Sequence, residues 1–236
     1  MALPQINTPV YELTIPSNGK KIKYRPFVVK EEKILLLALE SEDEQEITNA
    51  IVQIINNCVQ SKVDIDDLST FDIEYIFLNI RAKSVGEVLE FSITCPDDGV
   101  TQVEVDINID DIKVIKEKGH TDTIEIGNGY FVKMKYPTLN YVLKKTNKGK
   151  SPIENTFEYA VDCIDQIYNN EEVWDSTDNT KEEMAGWVET LTSDQYQKLQ
   201  QFFNTMPKLK HTVTIVNPKT KVKSDVTIEG LANFFA

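Results

Sequence analysis

The sequence predicts an α+β fold: a β-hairpin, then a helical stretch, then antiparallel hairpins mixed with further helices. Three observations carry this. Short segments of alternating apolar and polar residues come in pairs joined by turn residues, the signature of antiparallel hairpins. Between them run segments whose apolar residues recur every three or four positions, as one face of a helix requires. The composition, 41% hydrophobic and 27% charged, suits a chain with a buried core. At 236 residues the chain accommodates one large domain or two small ones.

YELTIP and KKIKYRPFVV flank Ser17-Asn18-Gly19 and read as an N-terminal hairpin. The basic run Lys20, Lys21, Lys23 and Arg25 lies on it, either as a solvated strand face or as a docking edge for an acidic partner. KEEKILLLALES begins a helix with Ile34, Leu35, Leu37 and Ala38 as its apolar stripe. EITNAIVQIINNCV repeats the pattern through Ile47, Ile51, Ile54, Ile55 and Cys58, which places Cys58 in the core. After the acidic link SKVDIDDLSTFD, the segment FDIEYIFLNIRAKS is apolar on two sides. Phe71, Tyr75, Leu78 and Ala82 mark one side, and Ile73, Phe77 and Ile80 the other, so this is expected to be the most buried helix.

GEVLEFSITCP and VTQVEVDINI alternate across Asp97-Asp98-Gly99, and DTIEIG and YFVKMKYP across Gly127-Asn128-Gly129. A helical segment is expected over Thr138–Lys145, followed by the loop NKGKSP. IENTFEYAVDCIDQIY aligns Phe157, Ala160, Val161 and Ile164 as an amphipathic helix, and NNEEVWDSTDNT reads as a loop. Thr180 with Glu183, and Thr192 with Gln195, have capping-box spacing and start two more helices. HTVTIV and KSDVTIEG close the chain as a hairpin over Asn217-Pro218-Lys219-Thr220. That hairpin echoes FSITCPDDGVTQVEVDI: each is strand, proline-containing turn, strand. A soft boundary at 84–86 divides 1–85, a hairpin plus helices, from 86–236, a mixed α/β region.

The formal net charge of -13, from 25 basic and 38 acidic residues, disfavours nucleic acid and anionic lipid as partners. No apolar run approaches the ~18 residues of a membrane span. The opening MALPQINTPVYELTIP lacks the charged and apolar regions of a signal peptide. Cys58, Cys95 and Cys163 are therefore expected to be free thiols in a reducing cytoplasm.

The sequence presents no motif from which catalytic, cofactor-binding or metal-ligating residues are expected. His120 and His211 are the two histidines, and no nucleophile motif frames a serine. Gly149-Lys150-Ser151 resembles the end of a phosphate-binding loop, but Lys144 stands where that motif requires glycine. The acidic groups Asp64, Asp66 and Asp67, Asp110 and Asp111, and Glu171, Glu172 and Asp175 fit no calcium loop and read as solvated acids. Cys95-Pro96-Asp97-Asp98-Gly99 has the shape of a zinc-knuckle turn with its second cysteine replaced by Asp98, and the tip Asn217–Thr220 has no cysteine, so zinc is not expected.

LPQINTPVYELTIPSNGKKIKYRPFVVKEEKILLLALES, STFDIEYIFLNIRAKSVGEVLEFSITCPDDG and the closing IEGLANFF resemble the baseplate protein family of T4-like tailed bacteriophages, which includes baseplate hub assembly proteins. The resemblance spans nearly the whole chain and is weakest over 140–205. It implies a non-enzymatic morphogenesis role in building the hub of a contractile tail, as an assembly chaperone or a retained baseplate subunit. The implied partners are other baseplate hub, spike or tape-measure proteins, met in the host cytoplasm during assembly and then in the tail baseplate. Some relatives carry cysteine pairs at the hairpin tips; this chain keeps only Cys95, so no metal role is carried over. A reading from another class is a tail-associated cell-wall hydrolase, which needs a cleft with convergent titratable groups. Phe234 and Phe235, at the end of an acidic chain, are expected to pack either into the chain's own core or into a hub partner.

Overall fold

The computed structural model describes residues 6–138 and 152–230. Phe234, Phe235, Gly149-Lys150-Ser151 and nearly all of the segments expected as a helix over 138–145 and a loop after it lie outside the described residues. In chain order the elements are β1 (Tyr11–Thr14), β2 (Lys21–Tyr24), α1 (Val29–Glu40), α2 (Glu44–Cys58), α3 (Thr70–Val85), β3 (Val88–Thr94), β4 (Gln102–Asn108) and β5 (Lys113–Ile115). There follow β6 (Thr123–Gly127), β7 (Tyr130–Met134), α4 (Pro152–Asp162), β8 (Ile164–Tyr168), β9 (Val173–Asp175), α5 (Lys181–Glu189), α6 (Ser193–Thr205), β10 (Lys208–Val216) and β11 (Lys223–Glu229). All strand pairs are antiparallel, so the fold is α+β.

The chain forms two compact units, residues 1–115 with 208–236, and residues 116–207. The expected boundary at 84–86 falls at Gly86, where α3 hands over to β3, inside the first unit. Gly86 has φ 133 and ψ 158, a backbone state open only to glycine at low cost.

In the first unit, β1 and β2 pair across Ser17-Asn18-Gly19, with Gly19 at φ 70. Ile15, Ile22 and Tyr24 turn inward and are buried. α1 has Val28 at its N-cap, which offers no side-chain oxygen, so Glu31 turns back to accept from the Val28 N–H at 3.0 Å. α2 starts on Asp43, whose Oδ1 accepts from the Gln45 N–H (2.8 Å) and the Glu46 N–H (3.2 Å). It buries Ile51, Ile54, Ile55 and Cys58, as its spacing predicts, together with Ala50, while Ile47 is only half-buried. α3 is apolar on two sides, as its sequence predicts, and buries Phe71, Ile73, Ile76, Phe77, Leu78, Ile80 and Ala82. Each of its larger side chains contributes roughly 1.5–3 kcal/mol of transfer free energy, so truncating fully buried Phe77 is the change that would break this core. Asp72 is also fully buried, with Oδ1 accepting from the Ser17 N–H (3.0 Å) and Oδ2 from the Ser69 hydroxyl, which ties the hairpin turn to the start of α3.

The two long hairpins, β3–β4 and β10–β11, share a core with α3: Leu78, Ala82, Leu89, Phe91, Ile107, Ile109, Ile112, Leu209 and Ile228. β5 joins the second of these sheets, in the order β11-β10-β5. Three residues are too few to show a period in the sequence, so this strand was not among the expected elements.

The second unit is a four-stranded sheet, β6-β7-β8-β9, with α4, α5 and α6. Its core contains Val132, Met134, Val161, Ile164, Ile167, Met184, Val188, Leu199 and Phe202. The segment expected as one helix from Ile153 to Tyr168 instead breaks at Cys163. Ile164–Tyr168 becomes β8, its Ile167 opposite Val132 of β7 and its other edge held by β9. Ile164 and Ile167 are buried in this strand, a non-local pairing that outweighs local helical spacing. The expected loop at Asn169–Thr180 accordingly contains β9. The capping boxes at Thr180 with Glu183 and Thr192 with Gln195 form as expected.

Candidate functional site

The residues with the greatest chemical potential are held apart or already engaged. His120 is buried, with Nδ1 2.9 Å from the Thr205 hydroxyl and Nε2 3.1 Å from the Tyr136 hydroxyl, and its ring packs on Tyr136 and Phe202. Burial, helped by the Lys116 charge, pushes its pKa down. His211 Nδ1 lies 3.3 Å from the Asp111 carbonyl oxygen. Cys58, Cys95 and Cys163 are buried thiols that form no disulfide. Asp64 and Asn108 organise their own turns, and Asn169 accepts from the Glu171 and Glu172 N–H groups. Among the described residues no group of three or more His, Cys, Asp or Glu is placed to hold a metal ion. No helix among them is long and apolar enough to cross a membrane.

The basic run of the first hairpin is largely occupied. Arg25 Nη2 pairs with Glu31 Oε1 at 3.0 Å, and the Glu31 side chain is 2% exposed. Burial pushes the Glu31 carboxyl up, but the hydrogen bonds from Arg25 and the Val28 N–H reverse this and leave it below its ordinary value. Lys20 Nζ donates to the Lys62 carbonyl, and Lys23 lies 3.8 Å from Glu12. What the hairpin does offer is an edge. β2 is flanked on its outer side by Cys58–Gln60, through the Arg25 N–H to the Cys58 carbonyl and the Gln60 N–H to the Lys23 carbonyl. β1 has no second strand partner among the described residues.

Apolar exposure concentrates next to that edge in sequence. Ile6 and Val10 precede β1, and Val28, Val29, Leu36 and Leu37 lie at the start and on the outer face of α1, all exposed. Leu37, expected on the buried stripe, is 56% exposed, because α1 buries only Leu35, Ala38 and Glu31. Four consecutive apolar residues, Ile34–Leu37, necessarily span more than one face of a helix, so two of them face solvent. Single exposed leucines are ordinary, whereas Val28, Val29, Leu36 and Leu37 put four exposed apolar side chains within ten residues.

Besides a cleft of about 350 Å³ lined by Lys118, Lys198 and Phe202 among others, the second unit carries two larger ones. One of about 450 Å³ lies along α4 and α5, lined by Glu154, Phe157, Glu158, Val161, Lys181 and Ala185 among others. The other, of about 520 Å³, contains both tryptophans, Trp174 and Trp187, beside Tyr130.

The proline-containing tips of the two long hairpins meet, although 120 positions separate the contacting residues. Asn217 Nδ2 donates to Asp97 Oδ1 and Oδ2 (both 3.1 Å) and to Asp98 Oδ2 (2.9 Å). The Thr220 hydroxyl donates to Asp97 Oδ2. Hydrogen bonds from Thr220 and Asn217 hold the Asp97 carboxyl below its usual range, and those from Thr101, Asn217 and Val100 do the same for Asp98. The sequence shows the likeness of the two turns and the knuckle shape of Cys95-Pro96-Asp97-Asp98-Gly99, but not that the tips touch. As a zinc site the four knuckle positions do not fit: they hold one thiol, one carboxylate, one amide and one hydroxyl, and the amide points its N–H groups inward.

The profile of the family described as T4 bacteriophage base plate protein matches residues 8–236. Neither the curated proteins nor the solved structures contain a match to this chain.

Proposed function

The chain belongs to the T4 bacteriophage base plate protein family, and from that premise we propose that it is a non-enzymatic component of tail morphogenesis, binding other hub, spike or tape-measure proteins as a hub assembly chaperone or a retained subunit. The observation that carries the binding reading is the open β1 edge followed by the exposed apolar face of α1. An extended partner segment can add a strand to β1, gaining main-chain hydrogen bonds, and Val29, Leu36 and Leu37 supply exposed apolar area for a second contact. Burying those three side chains in a partner contributes a few kcal/mol, about the difference between a transient and a stable contact. The charge of -13 keeps the free chain soluble while this face is open.

The test is co-purification with the co-expressed hub proteins. Introducing Leu36→Glu with Leu37→Glu is expected to abolish capture while the chain stays folded, since both side chains are exposed. Full capture by the folded variant would overturn this face as the dock. Mass spectrometry of purified virions separates the two roles: a stoichiometric chain is a retained subunit, and an absent one a chaperone.

A further inference from the structure

The tips Cys95–Gly99 and Asn217–Lys221 are two copies of one turn. Each has proline second, each closes with the fifth N–H donating to the first carbonyl at 2.9 Å, and each has its fifth residue left-handed, Gly99 at φ 67 and Lys221 at φ 65. Each first residue is buried, Cys95 and Asn217 both to 1% exposure. Asn217 Oδ1 accepts from the Lys219 N–H (2.8 Å) and the Thr220 N–H (3.3 Å), which fixes its amide with Nδ2 toward the other tip. Two such turns facing one another are the frame on which a zinc ribbon gathers four ligands, from the first and fourth residue of each.

We infer that the tips form a metal-free knuckle pair, in which the Asn217 amide, bridging Asp97 and Asp98, stands in for the ion that would cross-link the two hairpins. The amide has two N–H groups for three carboxylate oxygens, so it acts as a neutral hub shared by both acids. Thr101 completes the first tip by donating its hydroxyl (2.6 Å) to Asp98 Oδ2 and its N–H (2.9 Å) to Oδ1. Thr220 completes the second through Asp97. The cross-link is therefore independent of thiolate chemistry, and Cys95 remains a buried neutral thiol beside it.

Three measurements on the full chain test this. The protein as purified is expected to contain no zinc, and EDTA to leave its melting temperature unchanged; stoichiometric zinc whose removal lowers the melting temperature would overturn the inference. The triple variant Asp98→Cys, Asn217→Cys, Thr220→Cys, with Cys95 retained, is expected to bind one Co(II) with the visible absorption of a tetrahedral thiolate site. A folded variant that binds no Co(II) would overturn it. Should that variant not fold, single substitutions in EDTA decide. Asn217→Ala is expected to lower the melting temperature by roughly 3–10 °C, and Asn217→Asp to lower it further at neutral pH by setting a third carboxylate against the other two. Asn217→Asp melting no lower than Asn217→Ala would sink the bridging role.

Discussion

Ile115 and Lys208 face one another as paired residues of β5 and β10, although 92 residues of chain lie between them. These are the last residue of the first unit before the chain enters the second, and the first after it returns. Residues opposed in an antiparallel pair stand about 5 Å apart, a gap a two-residue turn can span. Joining Ile115 to Lys208 through Asn-Gly is therefore expected to leave a first unit that unfolds cooperatively. The fragment 116–207, with its own core around Val132 and Leu199, should do likewise. Circular dichroism melts of the two pieces check this, and a non-cooperative first unit would show that it depends on the second.

Arg25 and Glu31 form a pair whose halves are not equivalent. Glu31 is almost fully buried and also caps α1, while Arg25 keeps part of its surface in water. Arg25→Ala strands a buried carboxylate and should cost about 2–4 kcal/mol. Glu31→Gln leaves an amide that can still accept one of the two hydrogen bonds and should cost about 1–2 kcal/mol. The double variant is expected to be more stable than the sum of the two losses implies, because no unpaired charge remains. Since the folded Glu31 pKa is depressed, its contribution is present above about pH 4.3 and disappears as the pH falls through the folded value. Urea denaturation of the four proteins tests the cycle, and strict additivity would contradict it.

His120 should make the second unit acid-sensitive. Its folded pKa is depressed by burial and Lys116, whereas the unfolded side chain titrates near pH 6.5. The unfolded state therefore takes up a proton first as the pH falls. Stability is complete above about 6.5 and declines below it, before most carboxylates titrate. Trp174 and Trp187 both lie in this unit, so tryptophan emission reads its unfolding directly. His120→Phe keeps the stacking with Tyr136 and Phe202 but removes the titration, and is expected to flatten the dependence between about pH 7 and 5. An unchanged slope in that variant would assign the acid sensitivity elsewhere.

Local chemistry was legible in the sequence where it acts locally. The turns at Ser17-Asn18-Gly19 and Gly127-Asn128-Gly129 need left-handed residues, and the sequence supplies them. Thr180 and Glu183 satisfy each other within one helical turn. Illegible features depend on partners distant along the chain. Ile164 continues the helical spacing of Phe157, Ala160 and Val161, and only the neighbouring β7 shows that it begins a strand. In Ile34–Leu37 no polar residue marks the solvent side, so the outward turn of Leu36 and Leu37 appears only once α2 has covered the other face. The meeting of Asp97 with Asn217 is of the same kind: the sequence shows two similar turns but not that they touch.

The three thiols should be silent until the chain unfolds. Cys58 sits on the buried face of α2 with no exposed surface, and burial pushes its pKa up to about 11, only partly opposed by the Arg25 charge. At pH 8 such a thiol is about one-thousandth thiolate, the reactive form, even before access is considered. Cys95 is raised in the same direction by burial and by Asp97 and Asp98, and Cys163 is 2% exposed at the junction of α4 and β8. Ellman's reagent is expected to find no reactive thiol in the native chain and three in guanidinium chloride. Because labelling must wait for opening, the native rate should match the unfolding rate, independent of reagent concentration, once labelling of the opened chain outpaces its reclosing. A thiol that reacts faster than unfolding, with a rate proportional to reagent, would identify a cysteine accessible in the folded protein and contradict the inert role assigned to all three.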